Sequence, residues 1–170
     1  MYRRSILGLS ALTALTLVTL PGSSVAQQQS LKDQLVGSWI FVGSTGKSAD
    51  GRPAWGANPK GQLIFEANGQ YSSMIMRSDI PKYASNIRMR GTADENRATV
   101  QGVIASYGTY TVDEADRSYT IQIEASSFPN WNGSKQKRTV ISVTPDELKI
   151  DNPTPSYGGP ATELTYKRVK

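Results

Sequence analysis

The stretch Gly61–Arg77 constrains the fold more than any other, because two runs of β-forming residues flank Asn68-Gly69. Asn-Gly is the strongest short signal for a two-residue type I′ turn, in which both residues adopt positive φ. That turn predicts a hairpin in which Phe65 lies opposite Ser72. One face of the hairpin then carries no charge, and its members are Leu63, Phe65, Ala67, Ser72, Met74 and Met76. We expect this face to line the interior of a one-sided sheet.

Two zero counts in the composition exclude several kinds of site. The 170 residues contain no cysteine and no histidine, so disulfides, thiolate nucleophiles, imidazole bases and histidine metal ligands are excluded. Ser-His-Asp hydrolysis, zinc hydrolysis and histidine-ligated haem are removed with them. Catalysis would have to use carboxylates, tyrosine, lysine or arginine, and we assign no catalytic residue. We expect no cofactor and no metal.

Residues 1–26 are typical of a cleaved export signal. Arg3 and Arg4 precede an apolar stretch, and a run of small residues that suits cleavage ends at Ala26. We therefore expect a mature chain that starts at Gln27, has no membrane span and is periplasmic or extracellular. An uncleaved anchor and a twin-arginine rather than a Sec export route stay open as alternatives.

The charge balance argues against a nucleic-acid partner. The formal net charge is +5, and two of the positive charges, Arg3 and Arg4, belong to the predicted signal. The remaining excess is small and scattered along the chain, which does not suit phosphate recognition. We expect a monomer, with a flexible lead-in over 27–34 and one domain over 35–170.

The mature chain is predicted to consist of strands and turns with one helix. The first strand covers Leu35–Gly43, with apolar residues on both faces. Thr92 and Glu95 have the spacing of a capping box, and the helix they begin is predicted to run to about Ser106. The other strands are predicted at 108–113, 119–124, 137–143, 148–150 and 162–169. With the hairpin this makes eight antiparallel strands, enough to close into a barrel that holds one small ligand.

The predicted fold class is therefore all-β, an eight-stranded antiparallel barrel with one helix inserted between strands 3 and 4. An open sandwich is the alternative, and it would leave edge strands to protect.

Several short motifs resemble the lipocalin-like domain family of bacteria and fungi. Gly37-x-Trp39 is similar to the Gly-x-Trp signature of lipocalins. Further matching segments are Asn58–Ile64, Asn68-Gly69, Met76–Asp79, Tyr107–Glu114, Phe128–Gly133 and Leu164–Arg168. The resemblance implies a calycin-type barrel and no particular activity. It also implies a structural role for Gly37 and an arginine, Arg168 rather than Lys167, that stacks on Trp39.

Ten residues are candidates for contact with a small hydrophobic ligand. They come from the uncharged hairpin face, from the strands at 108–113 and 119–124, and from the helix if it forms a lid over the barrel mouth. Arg77 is added as a possible partner for an anionic head group. The set is Phe65, Met74, Met76, Arg77, Tyr83, Ile104, Tyr107, Tyr110, Ile121 and Ile123. Ile141 and Val143 share one face of their predicted strand and could complete the lining.

Each candidate also has a plain structural interpretation. The apolar side chains could fill a small barrel, the helix could pack on the outer wall, and Arg77 could form a rim salt bridge near Asp79. Trp55, in the loop 44–60, is expected to fold back onto the domain rather than to contact a ligand.

Three functions fit the sequence. The first is an exported barrel that binds or carries a small hydrophobic molecule without chemistry. The second is an isomerase or cyclase, which would need an inward Arg, Tyr or carboxylate with a perturbed pKa. The third is a structural or interaction domain with a filled core. The barrel interior separates them, since it would be empty, empty with a buried charge, or full.

Overall fold

The computed structural model describes residues 29–48 and 50–170 of the chain. Eight antiparallel strands follow one another around a closed barrel, and the last strand pairs with the first. The strands are β1 (Gly37–Ser44), β2 (Lys60–Phe65), β3 (Gln70–Met76), β4 (Val103–Asp113), β5 (Ser118–Ser126), β6 (Lys135–Val143), β7 (Glu147–Asn152) and β8 (Thr162–Arg168). The same ranges contain α1 (Leu31–Leu35), α2 (Ala93–Gly102) and single 3-10 turns at Arg88–Arg90 and Pro129–Trp131. The predicted barrel, with a helix between its third and fourth strands, is confirmed.

The core lies inside the barrel and follows the two-residue period of the strands. In β1, Trp39 and Phe41 are buried, while Ile40 and Val42 lie outside and are 46% and 45% exposed. The first strand is therefore covered on one face, and the apolar residues on its other face are solvent-exposed. Each fully buried apolar side chain contributes about 1.5–3 kcal/mol to stability.

The hairpin forms at the predicted place but with a longer turn. The Gly69 amide donates to the Glu66 carbonyl (3.0 Å), and the Glu66 amide donates to the Gln70 carbonyl (2.9 Å). Gly69 has φ of +90°, and Asn68 Oδ1 accepts from the Gln70 amide (2.9 Å). This arrangement is a three-residue loop that ends in a glycine bulge, rather than a two-residue type I′ turn.

The extra loop residue shifts the strand register by one position. Phe65 pairs with Tyr71, not with Ser72, so every side chain of β3 faces the side opposite to the predicted one. Tyr71 and Ile75 are buried in the barrel, and Met74 is 40% exposed on the outer wall. Met74 and Met76 were predicted to face inward, and this prediction is wrong.

Helix α2 begins as predicted and ends earlier. Thr92 and Glu95 form a complete capping box at its start. The helix ends at Gly102, about four residues before the predicted end, because Val103–Ser106 pair with β3 instead. A strand partner satisfies both the backbone groups and the β-branched side chains of this segment, and it prevails over the helical pattern.

The segment before the barrel is ordered where a lead-in was expected. Residues 31–35 form α1, whose Leu31 and Leu35 are buried. The Glu114 carboxylate accepts from the Leu31 amide (2.8 Å) and the Lys32 amide (3.2 Å), which satisfies free N–H groups at the helix start. The predicted first strand is correspondingly shorter at its beginning and starts at Gly37.

The predicted export signal, 1–26, lies outside the described residues. Across 29–48 and 50–170, no helix combines the length and apolar character that crossing a bilayer requires.

Arg168 links the last strand to the first. Its guanidinium lies 4.0 Å above the Trp39 ring centroid, which is the contact implied by the resemblance. It also donates to three backbone carbonyls, those of Pro145 (2.8 Å), Val36 (2.9 Å) and Gln34 (2.5 Å). The Trp39 indole N–H donates to the Leu35 carbonyl (2.8 Å). Together with α1, these contacts close one end of the barrel.

Candidate ligand-binding site

The two ends of the barrel differ in the length of their connections. At the end closed by α1 and Arg168, tight turns at 66–69, 114–117 and 144–146 join the strands. At the other end, which we call the open end, the connections are long and cover 45–59, 77–102, 127–134 and 153–161. Binding sites concentrate where long loops are held by a rigid scaffold, so the open end is the place to look for one.

An inner cavity of about 70 Å³ lies inside the barrel toward the open end. Its apolar wall comes from strand residues that face the barrel axis: Leu63, Ile75, Ile104, Ile121, Ile150 and Leu164. Its polar wall comes mainly from Tyr71, Tyr119, Gln136, Arg138, Asn152 and Tyr166. This volume is enough for several water molecules or one small chemical group. The interior is therefore neither completely filled nor hollow.

Arg138 is the unusual member of this wall. It sits in β6 opposite Tyr119 and is 6% exposed. Its Nη2 donates to Gln136 Oε1 (2.6 Å), whereas its Nη1 has no hydrogen-bond partner. Among the described residues, no carboxylate oxygen lies within 4.0 Å of its nitrogens. A buried guanidinium stays charged, so the cavity carries a positive charge without a protein counter-ion.

Three tyrosines surround this charge and remain protonated. Burial raises the pKa of Tyr119 and of Tyr166 far above the usual value, and the nearby Arg138 charge opposes that rise only in part. Burial also raises the pKa of Tyr71, whose hydroxyl lies 3.3 Å from Ser106 Oγ. These neutral hydroxyls can donate or accept hydrogen bonds to a ligand, but they cannot neutralise Arg138.

A second unpartnered polar atom lies in the same wall. Asn152, at the open end of β7, is 7% exposed, and its Oδ1 has no hydrogen-bond partner. Buried polar atoms without partners are rare in proteins, and two of them around one cavity indicate a place prepared for water or ligand. In the described ranges, no group of three or more acidic side chains is placed to hold a metal ion.

An outer chamber of about 470 Å³ lies beside the inner cavity on its solvent side. Trp55, Ile104, Ser156 and Tyr157 line both spaces and form the junction between them. The Trp55 and Tyr157 rings meet edge to face with centroids 6.1 Å apart. The rest of the outer wall consists of Ser48, Ala54, Arg77, Val100, Gln101, Val103, Ser127 and Phe128. The two chambers are therefore neighbours at the open end, separated by these four shared residues.

Three of the ten residues chosen from the sequence line this site. Ile104 and Ile121 contact the inner cavity, and Ile104 also lies at the junction. Arg77 lines the outer chamber, where it forms a bidentate ion pair with Asp79. Its Nε donates to Asp79 Oδ1 (2.9 Å) and its Nη2 to Asp79 Oδ2 (2.7 Å). Trp55 is folded back onto the domain, as predicted, and it lines both chambers as well.

Three further candidates are buried in the barrel but line neither chamber. Phe65 and Tyr110 lie near the closed-end turn 66–69, whereas the Ile123 backbone is bonded to Gly133 and Ser134 of an open-end connection. Phe65 packs edge to face against Tyr110 and Tyr119, with centroids 4.8 and 5.0 Å away. The Tyr110 hydroxyl donates to the Glu66 carbonyl (2.8 Å), and Ile123 is fully buried. Phe65 and Tyr110 form a packed floor beneath the cavity, and Ile123 belongs to the core without lining either chamber.

The remaining four candidates lie outside the barrel interior. Met74 and Met76 face outward because of the register shift, and Tyr107 is 49% exposed on the outer face of β4. Tyr83 packs on α2, where its hydroxyl lies 3.1 Å from Thr99 Oγ1. The structure therefore does not bring Tyr83 and Tyr107 together at the barrel mouth.

The sequence did not reveal Arg138 or Gln136 because of a bulge in β6. The register of β6 against β7 shifts between Val140 and Ser142, which reverses the inward and outward faces along the strand. Before the bulge Val140 is buried and Ile141 faces solvent at 49% exposure, whereas Val143 after the bulge packs against the core. A strict two-residue period counted back from Val143 makes Ile141 inward and so places Arg138 on the wrong face. The first residues of β6 are all polar, and a polar run of this kind is by itself typical of a strand that faces solvent on both sides.

Comparison with known proteins finds a solved structure, a relative and a protein family that are similar to this chain. A lipocalin-like protein from Bacteroides uniformis is similar in structure, with a TM-score of 0.45 and 14% identity over 80% of this chain and 99% of that one. A segment of 90 residues is 28% identical to the 4'-hydroxy-3'-methoxypropiophenone carrier protein ppsC of Aspergillus oryzae. The aligned segment covers 49% of this chain and 80% of that protein. The family described as "Lipocalin-like domain" matches residues 36–168. The chain therefore belongs to the lipocalin-like domain family.

Proposed function

We propose that this protein is a carrier that binds a small hydrophobic molecule at the open end of its barrel and performs no chemistry on it. The observation that supports this most is the pair of adjacent chambers, which share Trp55, Ile104 and Tyr157 in their walls. Largely apolar concave sites with a few polar groups are the usual form of small-molecule sites. The opposite end is sealed, so a ligand has one route of entry.

The similarity to ppsC suggests a first probe. That protein's name describes a carrier of an aromatic ketone with hydroxyl and methoxy groups. An aromatic ring suits the outer chamber, which Trp55, Phe128 and Tyr157 line. The oxygen atoms of such a molecule suit the donors of the inner cavity. The residues that we propose for binding are Trp55, Arg77, Ile104, Ile121, Arg138, Asn152 and Tyr157.

The test is saturable binding that depends on the junction. 4'-Hydroxy-3'-methoxypropiophenone is titrated into the protein while tryptophan fluorescence is recorded, since Trp55 lies at the junction. Ile104→Trp should block the passage and abolish the saturable change. Ile141→Trp makes the same replacement on the outer face of β6 and should leave binding unchanged. Equal binding by the two variants, or no ligand retained in native mass spectrometry of host-purified protein together with no saturable titration, would contradict the carrier proposal.

Export and a monomeric state complete the proposal. The sequence of residues 1–26 favours cleavage before Gln27 and a periplasmic or extracellular location. Mass measurement of the protein from its own host tests both points, because the mature monomer has a mass smaller by 26 residues. A full-length or dimeric mass would contradict them.

An isomerase or cyclase is a second candidate, favoured by one observation. The cavity wall contains a buried arginine beside tyrosines whose pKa values are raised, as such an enzyme would require. However, those tyrosines are protonated at neutral pH and can only act as acids. Incubation with bound ligand followed by mass and retention-time analysis separates the two proposals, because a carrier returns its ligand unchanged.

A further inference from the structure

The charges that line the two chambers all have the same sign. Arg138 lines the inner cavity and Arg77 lines the outer chamber, and the described lining of both spaces contains no Asp or Glu. The Arg77 charge is compensated by Asp79, whereas that of Arg138 is not. The lining therefore disfavours cations and suits an anionic group near Arg138.

The uncompensated charge also has the geometry of a carboxylate receptor. A guanidinium is planar, keeps its charge at every relevant pH and offers five donors in a fork that matches two carboxylate oxygens. In the described part of the chain, Arg138 uses one donor on Gln136, and its Nη1 remains unpartnered at 6% residue exposure. Tyr71, Tyr119 and Tyr166 could give further hydrogen bonds to the same anion.

The sizes of the two chambers set the shape of the ligand. The inner cavity, about 70 Å³, has room for a small head group but not for a whole aromatic molecule. The outer chamber, about 470 Å³ with Trp55, Phe128 and Tyr157 in its wall, can hold a planar apolar body. Ile104 and Trp55 lie where the head group and the body would join.

We infer that the ligand is a small aromatic carboxylic acid, with its carboxylate on Arg138 in the inner cavity and its ring in the outer chamber. This inference rests on the proposed carrier function and narrows its ligand class. It assigns Arg138 as the residue that selects the ligand.

The test compares acids with their neutral, nearly isosteric amides. Isothermal titration with cinnamate and cinnamamide, and with benzoate and benzamide, is carried out on the wild-type protein. The acid of each pair should bind roughly 30-fold more tightly or better, as buried charge pairs do. Arg138→Met should bring the dissociation constants of acid and amide to within about threefold.

The matched control is Lys135→Met, which removes one positive charge from the outward face of the same strand. Lys135 is exposed, and its loss should leave the preference for the acid unchanged within about twofold. Circular dichroism checks that each variant is folded. If Arg138→Met does not fold, Arg138→Lys is used in its place, because it keeps the positive charge but lacks the fork of donors. The comparison of acid with amide on the wild-type protein requires no variant.

The outcomes separate this inference from the carrier proposal. Amide or propiophenone binding as tight as acid binding overturns the aromatic-acid inference and leaves the carrier standing. A preference for the acid that persists in Arg138→Met also overturns the assignment of Arg138. Absence of saturable binding by acids, amides and the propiophenone overturns both.

Discussion

The closed end and the open end of this barrel use the same residue types for opposite purposes. At the closed end, Arg168 stacks on Trp39 and donates all its hydrogen bonds to backbone carbonyls. In the open half, Arg138 is more deeply buried yet keeps Nη1 without a partner. An arginine whose donors are all hydrogen-bonded within the protein stabilises the fold. An arginine with an unpartnered donor can gain a hydrogen bond when a ligand binds. On the proposed function, stability and ligand selectivity are assigned to different ends of the barrel.

If that division holds, the largest loss of stability should come from Trp39→Ala. The change removes a fully buried indole at the closed end and should lower the free energy of unfolding by about 3–5 kcal/mol. Urea denaturation measures this. Ile40→Ala, at the exposed neighbouring position, serves as the control and should cost far less. A Trp39→Ala midpoint equal to that of the wild-type protein would break the comparison.

Alkaline pH should produce the next largest effect, through the tyrosines between the two ends. The pKa values of Tyr119 and Tyr166 are raised in the folded protein, so folding favours their protonated forms. Their stabilisation is complete below about pH 10 and is lost as pH rises above it. At pH 11 the two groups together should cost about 3 kcal/mol, or ~1.4 kcal/mol per group and pH unit.

Urea midpoints at pH 8 and pH 11 measure this loss, with absorbance at 295 nm reporting ionisation. Tyr166→Phe removes one of the two groups and should make the midpoint less sensitive to pH. A pH-independent midpoint would show that the tyrosine layer is open to solvent.

Arg168→Met should cost about 2 kcal/mol, because three backbone carbonyls lose a charged donor on a partly exposed residue. Arg168→Lys should recover less than half of the loss, since an ammonium cannot reproduce the fork over Trp39. Thermal denaturation reads the effect, and Lys167→Met, at an exposed position, is the control. Ligand titration should be unchanged in Arg168→Met; an altered affinity would mean that the two ends are coupled.

The smallest effect should come from the open end, with Thr92→Ala. Removing the N-cap acceptor of α2 should destabilise that helix by about 1 kcal/mol. Because α2 is one of the open-end connections, faster hydrogen exchange should be confined to 93–102. Thr92→Ser keeps the acceptor oxygen and should behave as the wild-type protein. Faster exchange at β1 and β8 in Thr92→Ala would show that α2 supports the closed end too.

The overall architecture could be read from the sequence because it depends on many weak signals that agree. Strand and turn spacing predicted eight strands, and Thr92 with Glu95 predicted where the helix begins. The contact of Arg168 with Trp39, which joins the ends of the sheet, was implied by the resemblance to lipocalins rather than by a local pattern. None of these inferences requires knowledge of which strand face points inward.

The candidate site was harder to predict because facing depends on single residues. One extra residue in the loop after Glu66 turned Met74 outward and Tyr71 inward. One bulge after Val140 lets both Val140 and Val143 face the core, so that alternation counted from Val143 hid the inward position of Arg138. Both irregularities are decided by packing around the closed barrel, which a local pattern does not contain.

The hydrogen bonds from Leu31 to Glu114 and from Arg168 to Gln34 have a practical consequence. They hold both the entry into β1 and the exit from β8 at the closed end. A tether or reporter domain attached after Lys170 would therefore leave the mouth of the protein pointing away from the support. Surface-immobilised protein oriented in this way should remain accessible to small molecules in solution.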